Sequence, residues 1–562
     1  MFRSFILLLF PILLSAQCVI DADHYAIDES KKLIIINKNL DHLNTDILGI
    51  KTYLNIEGDI YNFALPVNIL EKGTPYIASK NNIDYTVFFS ELPIIRMTTS
   101  GEIKDTPKTL GNFELLVSDE EKTTSLIGVE YRGASSQSYP KKSMEIEFWL
   151  DENGNETQDL SILNLFEEDA INLQAMYNEK LRANSKTANE LWQEIHPDVY
   201  YKNNEPDARS GILMKYTDLF LNGEYRGVYA FGEKVKRKFL KLKKNSESEI
   251  KGELYKGHNY GPATMFTGII PYNNSTAYWG GWEYKYPKDV IDWENIYQFT
   301  DFVINSDEET FYNFYSQKID VENIIDYFIF VNILRAADNL SKNTYLAKNK
   351  QDDPFFYIPW DLDGTFGGWW DGSNQNIYND LLFNGLYARL WQNDHFRELL
   401  HNRWTTLRNS IITKEHIIEL FSNNFLKLKS NGIYTREEMV WNDYTFPEDQ
   451  LQYHKTWIQN RIEYLDTQFG YSLGTPQPDG FKNSLAIYPN PTSSYFSVNI
   501  SSPLKNAEIK IIDFSGKELQ KTNVENLDKT TKISISGLSS GVYFVILKTK
   551  ENIQTSRLVI KK

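Results

Sequence analysis

Three carboxylates and one amide fall in the sequence at a spacing that suits phosphoryl chemistry. Asp338 and Asn343 bracket a short polar segment that follows an apolar stretch, and Asp361 and Asp363 lie in Pro359-Trp360-Asp361-Leu362-Asp363-Gly364, after a second strand-like piece. A short hairpin between the segments sets all four on adjoining loops. Oxygen ligands of this kind hold a hard cation, while a carboxylate left outside the coordination sphere can take a proton from an attacking hydroxyl. Lys342, four positions after Asp338, stands where it can neutralise a transferred phosphate. The competing reading is local, because Asp and Asn in turns commonly cap or hydrogen-bond their own backbone.

The elements that must position these residues are legible in the hydrophobic pattern. Residues 322–335 are apolar almost all round, at Ile324, Ile325, Phe328, Ile329, Val331, Ile333 and Leu334, which predicts a buried helix leading into Asp338. In 143–148, Met144, Ile146 and Phe148 alternate with Ser143, Glu145 and Glu147, the pattern of a half-buried strand. Residues 184–195 carry Ala188, Leu191, Trp192 and Ile195 on one helical face. A hairpin is expected from 218–221 and 227–231 about Asn222-Gly223. With a further β-rich region over 17–91 and helical patterns running to Leu465, the main part of the chain reads as α+β, a β-rich half feeding a helical half.

The ends of the chain read differently. Residues 1–16 have one positive charge, an apolar run from Phe5 to Leu14 and small residues before a polar segment, the pattern of a signal peptide. That run is shorter than the ~20 residues of a membrane helix, and no integral membrane span is expected. Gln17, not a small residue, precedes Cys18, which disfavours lipid attachment there. Residues 472–483 have linker composition, and 484–562 predict a small β-sandwich with strands at 485–488, 495–500, 508–514, 532–536, 542–548 and 556–560.

Composition narrows the function classes. The 562 residues carry 59 Lys+Arg against 75 Asp+Glu, a net charge of −16, which argues against nucleic acid or anionic membrane as partner. One cysteine builds neither a disulfide nor a thiolate cluster, and the eight histidines show no zinc-ligand spacing.

Two families are resembled. Tyr488-Pro489-Asn490-Pro491-Thr492, Asp513-Phe514-Ser515-Gly516, Leu538-Ser539-Ser540-Gly541-Val542-Tyr543 and the terminal Leu558-Val559-Ile560-Lys561-Lys562 resemble the type A C-terminal sorting domain of the type IX secretion system. That resemblance implies the secretion machinery as partner, export through the periplasm and outer membrane, and release or surface attachment. Over 92–471, the blocks around Leu92-Pro93-Ile94-Ile95, Arg132-Gly133-Ala134-Ser135-Ser136, Pro140-Lys141-Lys142, 219–229 with Glu233, Lys285-Tyr286-Pro287-Lys288, Lys342-Asn343-Thr344-Tyr345 and 359–364 resemble the CotH kinase family. This resemblance implies a two-lobed, divergent protein-kinase-like core, ATP with Mg²⁺ or Mn²⁺ as cofactors, and phosphate transfer to Ser or Thr hydroxyls of a protein substrate.

Residue roles follow from it. Asp338 orients and deprotonates the acceptor, with Lys342 beside it as a catalytic partner, and Asn343 and Asp361 hold the metal. Asp363 is either a further ligand or the residue that fixes the turn before Gly364. Arg132, Ser135 and Ser136 cover the phosphates, Lys142 pairs with them, and Glu233 belongs to the same nucleotide site. In kinases the catalytic Asp likewise precedes a metal-binding Asn by five positions. The chain departs from kinases in having no G-x-G-x-x-G loop, Ala336-Ala337 where His-Arg would precede Asp338, and Leu362 in place of the Phe after the metal-binding Asp.

Other readings remain. The same pocket could serve a non-catalytic surface module, a reading that the scarcity of ATP outside cells favours, and two carboxylates ~5–10 Å apart across a cleft could hydrolyse a polysaccharide. Asp151, Asn153, Asn155 and Asp159 resemble a calcium loop but depart from its order, so a polar turn is expected. The aromatic residues at 279–286 and Trp369-Trp370 either stack sugars or pack the core.

Overall fold

Met144, Ile146 and Phe148, the apolar half of an alternating strand, point into a closed seven-stranded barrel together with Ile127, Leu173 and Phe231. In the computed structural model, which describes residues 16–45, 49–246, 249–471, 486–499, 504–513, 517–528, 531–549 and 553–562, the barrel strands run Thr123–Tyr131, Met144–Trp149, Ala170–Gln174, Glu224–Gly232, Met214–Leu221, Ile94–Thr99 and Thr109–Leu116, returning to the first. Neighbours are antiparallel except Ile94–Thr99 and Met214–Leu221, which pair in parallel. The expected hairpin forms with Leu221 opposite Glu224, and Asn222 (φ 52°) and Gly223 (φ 80°) both take the left-handed conformation that a two-residue turn demands. Barrel closure leaves no free edge.

Residues 16–89 of the β-rich region form a separate seven-stranded sheet in which Cys18 is fully buried. The residues of the expected signal peptide before Ala16 and the expected linker lie outside the described residues.

The second half is helical around a five-stranded sheet, ordered Tyr278–Trp279, Trp282–Tyr286, Glu253–Gly257, Thr344–Lys348 and Phe356–Pro359. The helix Asn184–Ile195 buries Leu191, Trp192 and Ile195 completely, as its apolar face requires. The helix Val321–Leu334 is buried on every side, begins at Asp320, whose side chain accepts from Glu322 N, and ends where Arg335 turns left-handed at φ 51°. Trp279 and Trp282 are buried in this core, while Trp369 and Trp370 are exposed. Asp151 accepts from Asn153 N and Glu156 N, the local bonding of a polar turn. No helix among the described residues is long and apolar enough to cross a membrane.

The chain divides at Tyr471 into two units. The second is all-β, with one sheet of three strands and one of four. Its strand Glu518–Leu527 escapes sequence reading because it is mostly exposed and carries no apolar alternation.

Candidate active site

The register of one hairpin brings the two halves of the polar motif together. Thr344 pairs with Pro359, so Asn343 and Trp360, the residues just outside the ladder, meet at one end, with Asp361 next in line. Trp360 N donates to Asn343 O at 3.2 Å, and Asn343 N to Gly257 O at 3.1 Å. Asn343 (φ 56°) and Asp361 (φ 55°) both hold left-handed backbone, a conformation that Asn and Asp tolerate best among residues with a side chain. Gly257 admits this approach, since a Cβ there would lie 1.9 Å from Ser341 O.

Asn339, 2% exposed, is the clasp. Its amide nitrogen donates to Asn343 O at 2.5 Å and to Trp360 O at 2.8 Å, tying the two loops, while the Tyr327 hydroxyl donates to Asn339 O at 2.8 Å and lies 2.7 Å from the Thr344 hydroxyl. Behind it, Arg335 forks onto both oxygens of Asp380, at 2.9 and 2.6 Å, and anchors the end of the helix that delivers Asp338.

Asp338, Asn343, Asp361 and Asp363 all face one cleft of about 1080 Å³, together with Lys342, Arg132 and Ser136. Asp338 Oδ1 accepts from the hydroxyl of Tyr260, whose pKa is raised by burial and by this carboxylate. One oxygen of Asp363 accepts from Gly364 N at 2.8 Å, the turn contact that was one of its two expected roles, and its second oxygen accepts from Asn178 at 2.6 Å. Burial, and then the like charge of Asp361, push the Asp363 carboxyl well above the usual range. A divalent cation between these carboxylates would relieve that repulsion, and the donors are all oxygen, so the residues fit Mg²⁺ or Mn²⁺.

The other expected nucleotide residues divide. The Arg132 guanidinium stands 5.2 Å from the Trp360 ring centre, directly beside Asp361 in sequence, and Gly133 turns at φ 105° into the short helical turn Ser135–Ser138. Lys142 does not line the cleft: it precedes the strand, which begins at Met144, its Nζ donates to Gln137 O, and it lies over Tyr131. Glu233 is buried and satisfied by Phe166 N and Leu213 N, both at 2.7 Å, away from the cleft. Lys141 is fully buried; its Nζ reaches Glu437 at 2.7 Å and Val228 O at 2.6 Å, and burial, partly offset by Glu437, brings its pKa down to about 8.

Much of the cleft's remaining charge is self-neutralised. Lys234 pairs with Glu145 at 2.5 Å, Lys238 with Asp159 at 2.5 Å and Lys285 with Glu283 at 2.9 Å, and Lys236 bonds Asp169. Burial works to raise the Glu145 carboxyl, but Lys234 and Lys108 outweigh it and bring it down to about 2. Asp159, Glu168 and Asp169 cluster within 4.8 Å of one another, and Lys236 and Lys238 already answer their charge.

Tyr260, Asn178, Asn339 and Lys256 complete the site and were not anticipated from the sequence. Asn339 adjoins Asp338 and was the most accessible of them, as a second amide in a polar turn; the others come from distant segments. Two family models match the chain: CotH kinase protein over residues 129–465, and secretion system C-terminal sorting domain over residues 486–561. No curated protein matches it. The sorting domain is the type IX export signal, so the protein is secreted or held at the cell surface.

Proposed function

The chain belongs to the CotH kinase family, and from that premise we propose that this exported protein is an atypical serine/threonine protein kinase that transfers the γ-phosphoryl group of ATP to protein hydroxyls. The observation that carries the reading is the clasp of Asn339, which holds Asn343 and Asp361 at one end of a hairpin while Asp338 faces the same cleft. Asn343 and Asp361, with Asp363 behind them, would hold Mg²⁺, which supplies charge neutralisation for the phosphates. Asp338 orients the acceptor. The Ser or Thr oxygen forms its bond to the γ-phosphorus, the bond from that phosphorus to the bridging oxygen breaks, the hydroxyl proton passes to Asp338, and ADP departs.

The cleft is lined both by barrel residues such as Glu145, Asn172 and Gln174 and by residues of the helical half such as Leu254, Lys256 and Tyr345, which supports the two-lobed reading. The lobe on the barrel side differs from that of ordinary kinases in being closed. A second reading, a kinase-fold surface module that binds without turnover, is favoured by one contact: the Tyr260 hydroxyl already occupies the carboxylate an acceptor would need.

Calorimetric titration of ATP with and without Mg²⁺ tests the site. Wild type should bind far more tightly with the metal, Asp361→Asn should lose that gain, and Asp338→Asn should keep it; equally tight binding without metal, or binding unaffected by Asp361→Asn, would overturn the assignment.

A further inference from the structure

We propose that Lys256, with Arg132, supplies the positive charge that receives the nucleotide's polyphosphate, in place of Lys142. The inference rests on the phosphotransfer reading and names the contacts of that same site. Of the lysines lining the cleft, Lys234, Lys236 and Lys285 each pair with a carboxylate that also lines it, and Lys238 pairs with Asp159. Lys256 has neither an ion pair nor a side-chain hydrogen bond among the described residues, although it lines the same cleft. It sits in the strand Glu253–Gly257 opposite Tyr345 on one side and Glu283 on the other, and Glu283 is engaged by Lys285.

Burial lowers the pKa of Lys256; the acidic charges acting against that are Glu283 and Asp361, while Lys285 and Arg132 add to the lowering. A half-buried ammonium with neither an ion pair nor a hydrogen bond is costly, and an anionic ligand completes it. Arg132 also lacks an ionic partner: its guanidinium stacks near Trp360 and donates no side-chain hydrogen bond among the described residues. Two unpaired cations therefore line the same cleft as the carboxylate assigned to the metal. A second orphan points the same way. Asn172, 3% exposed, lines this cleft with its Nδ2 donor unpaired. Phosphate oxygens, dense in charge and in acceptors, suit this set of donors.

The test uses the full chain with Mg²⁺ and inorganic tripolyphosphate as probe, comparing Lys256→Met, Lys256→Arg and Lys142→Met by calorimetry. Lys256→Met should weaken binding roughly ten- to hundredfold, the worth of about one charged hydrogen bond, Lys256→Arg should recover most of it, and Lys142→Met should stay within about twofold. Removing an unpaired, half-buried charge should also leave the ligand-free melting temperature equal or higher. Wild-type affinity in Lys256→Met, loss in Lys142→Met, a melting temperature lowered by Lys256→Met but not restored by Lys256→Arg, or no binding by wild type would each overturn the proposal. Lys256-dependent binding without transfer to any acceptor would uphold the site and sink the kinase reading; transfer by Lys256→Met at an unchanged KM for ATP would do the reverse.

Discussion

The Tyr260 hydroxyl donates to Oδ1 of Asp338, so the carboxylate assigned to the acceptor is held by a residue of its own chain. Tyr260 is 56% exposed, in the loop after Gly257, and can be displaced without opening the core. An incoming Ser or Thr hydroxyl must replace this bond. Tyr260→Phe removes the competitor, and since a hydrogen bond to a charged group is worth about 1.5–3 kcal/mol, KM for a protein acceptor should fall by roughly tenfold or more at unchanged KM for ATP. Steady-state kinetics with both substrates varied check this; a fall in kcat with no change in acceptor KM would show that Tyr260 assists the reaction.

Asn339 should be indispensable to metal binding without touching the metal. Asn339→Ala strands the buried carbonyl of Trp360, at about 1–3 kcal/mol before water enters, and leaves Asn343 O with Trp360 N as its remaining donor. Mg²⁺-dependent ATP affinity should drop by at least about tenfold, an amount worth 1.4 kcal/mol, while tripolyphosphate binding in the absence of metal should change less. Equal loss of both would mean that the cleft as a whole has collapsed.

Glu179 should make stability depend on pH. It is 2% exposed and next to Asn178, its carboxylate accepts from Ser185, and burial pushes its pKa up to about 7, against an ordinary 4.5. A carboxyl with a raised folded-state pKa binds its proton more tightly when folded, so its stabilisation is full below about pH 4.5 and is lost as pH rises through about 7. At ~1.36 kcal/mol per unit, the shift corresponds to about 3 kcal/mol. Glu179→Gln should be more stable than wild type at pH 8 and lack this part of the slope between pH 4.5 and 7, as read by denaturant unfolding at several pH values.

The buried set Lys141, Glu437 and Arg182 links barrel to helices. Glu437 Oε1 also accepts from Val228 N at 2.8 Å, Gly227 is pressed against it so that a Cβ would lie 2.1 Å from that oxygen, and Arg182 holds the carbonyls of Met176, Tyr177 and Glu179, the loop that presents Asn178 to Asp363. Lys141→Met leaves Glu437 short of one partner and should cost about 3–5 kcal/mol of stability. Lys142→Met, on the neighbouring residue, should cost under about 1 kcal/mol.

Local chemistry made part of this readable. Asn222-Gly223 specifies its own turn, the apolar face of 184–195 specifies its helix, and the spacing from Asp338 to Asp361 leaves room for just the hairpin that forms. Lys256 and Tyr260 were not readable, because their place depends on a strand inserted between Trp282–Tyr286 and Thr344–Lys348, and no periodicity encodes that neighbour. Lys141 and Lys142 differ only by which is swallowed by the core, and Glu437, almost three hundred residues away, decides it. Barrel closure likewise hangs on the parallel pairing of Ile94–Thr99 with Met214–Leu221.

Transfer of γ-phosphate is the most direct test. The full chain is incubated with γ-labelled ATP and Mg²⁺ or Mn²⁺, with a generic Ser/Thr-rich acceptor, alongside Asp338→Ala and Asp361→Ala. Label on serine or threonine of the acceptor or of the chain itself, abolished by both substitutions and by chelation of the metal, is the predicted result. Intact folding and Mg²⁺-dependent ATP binding with no transfer under any of these conditions would contradict it and leave a binding module built on the same cleft.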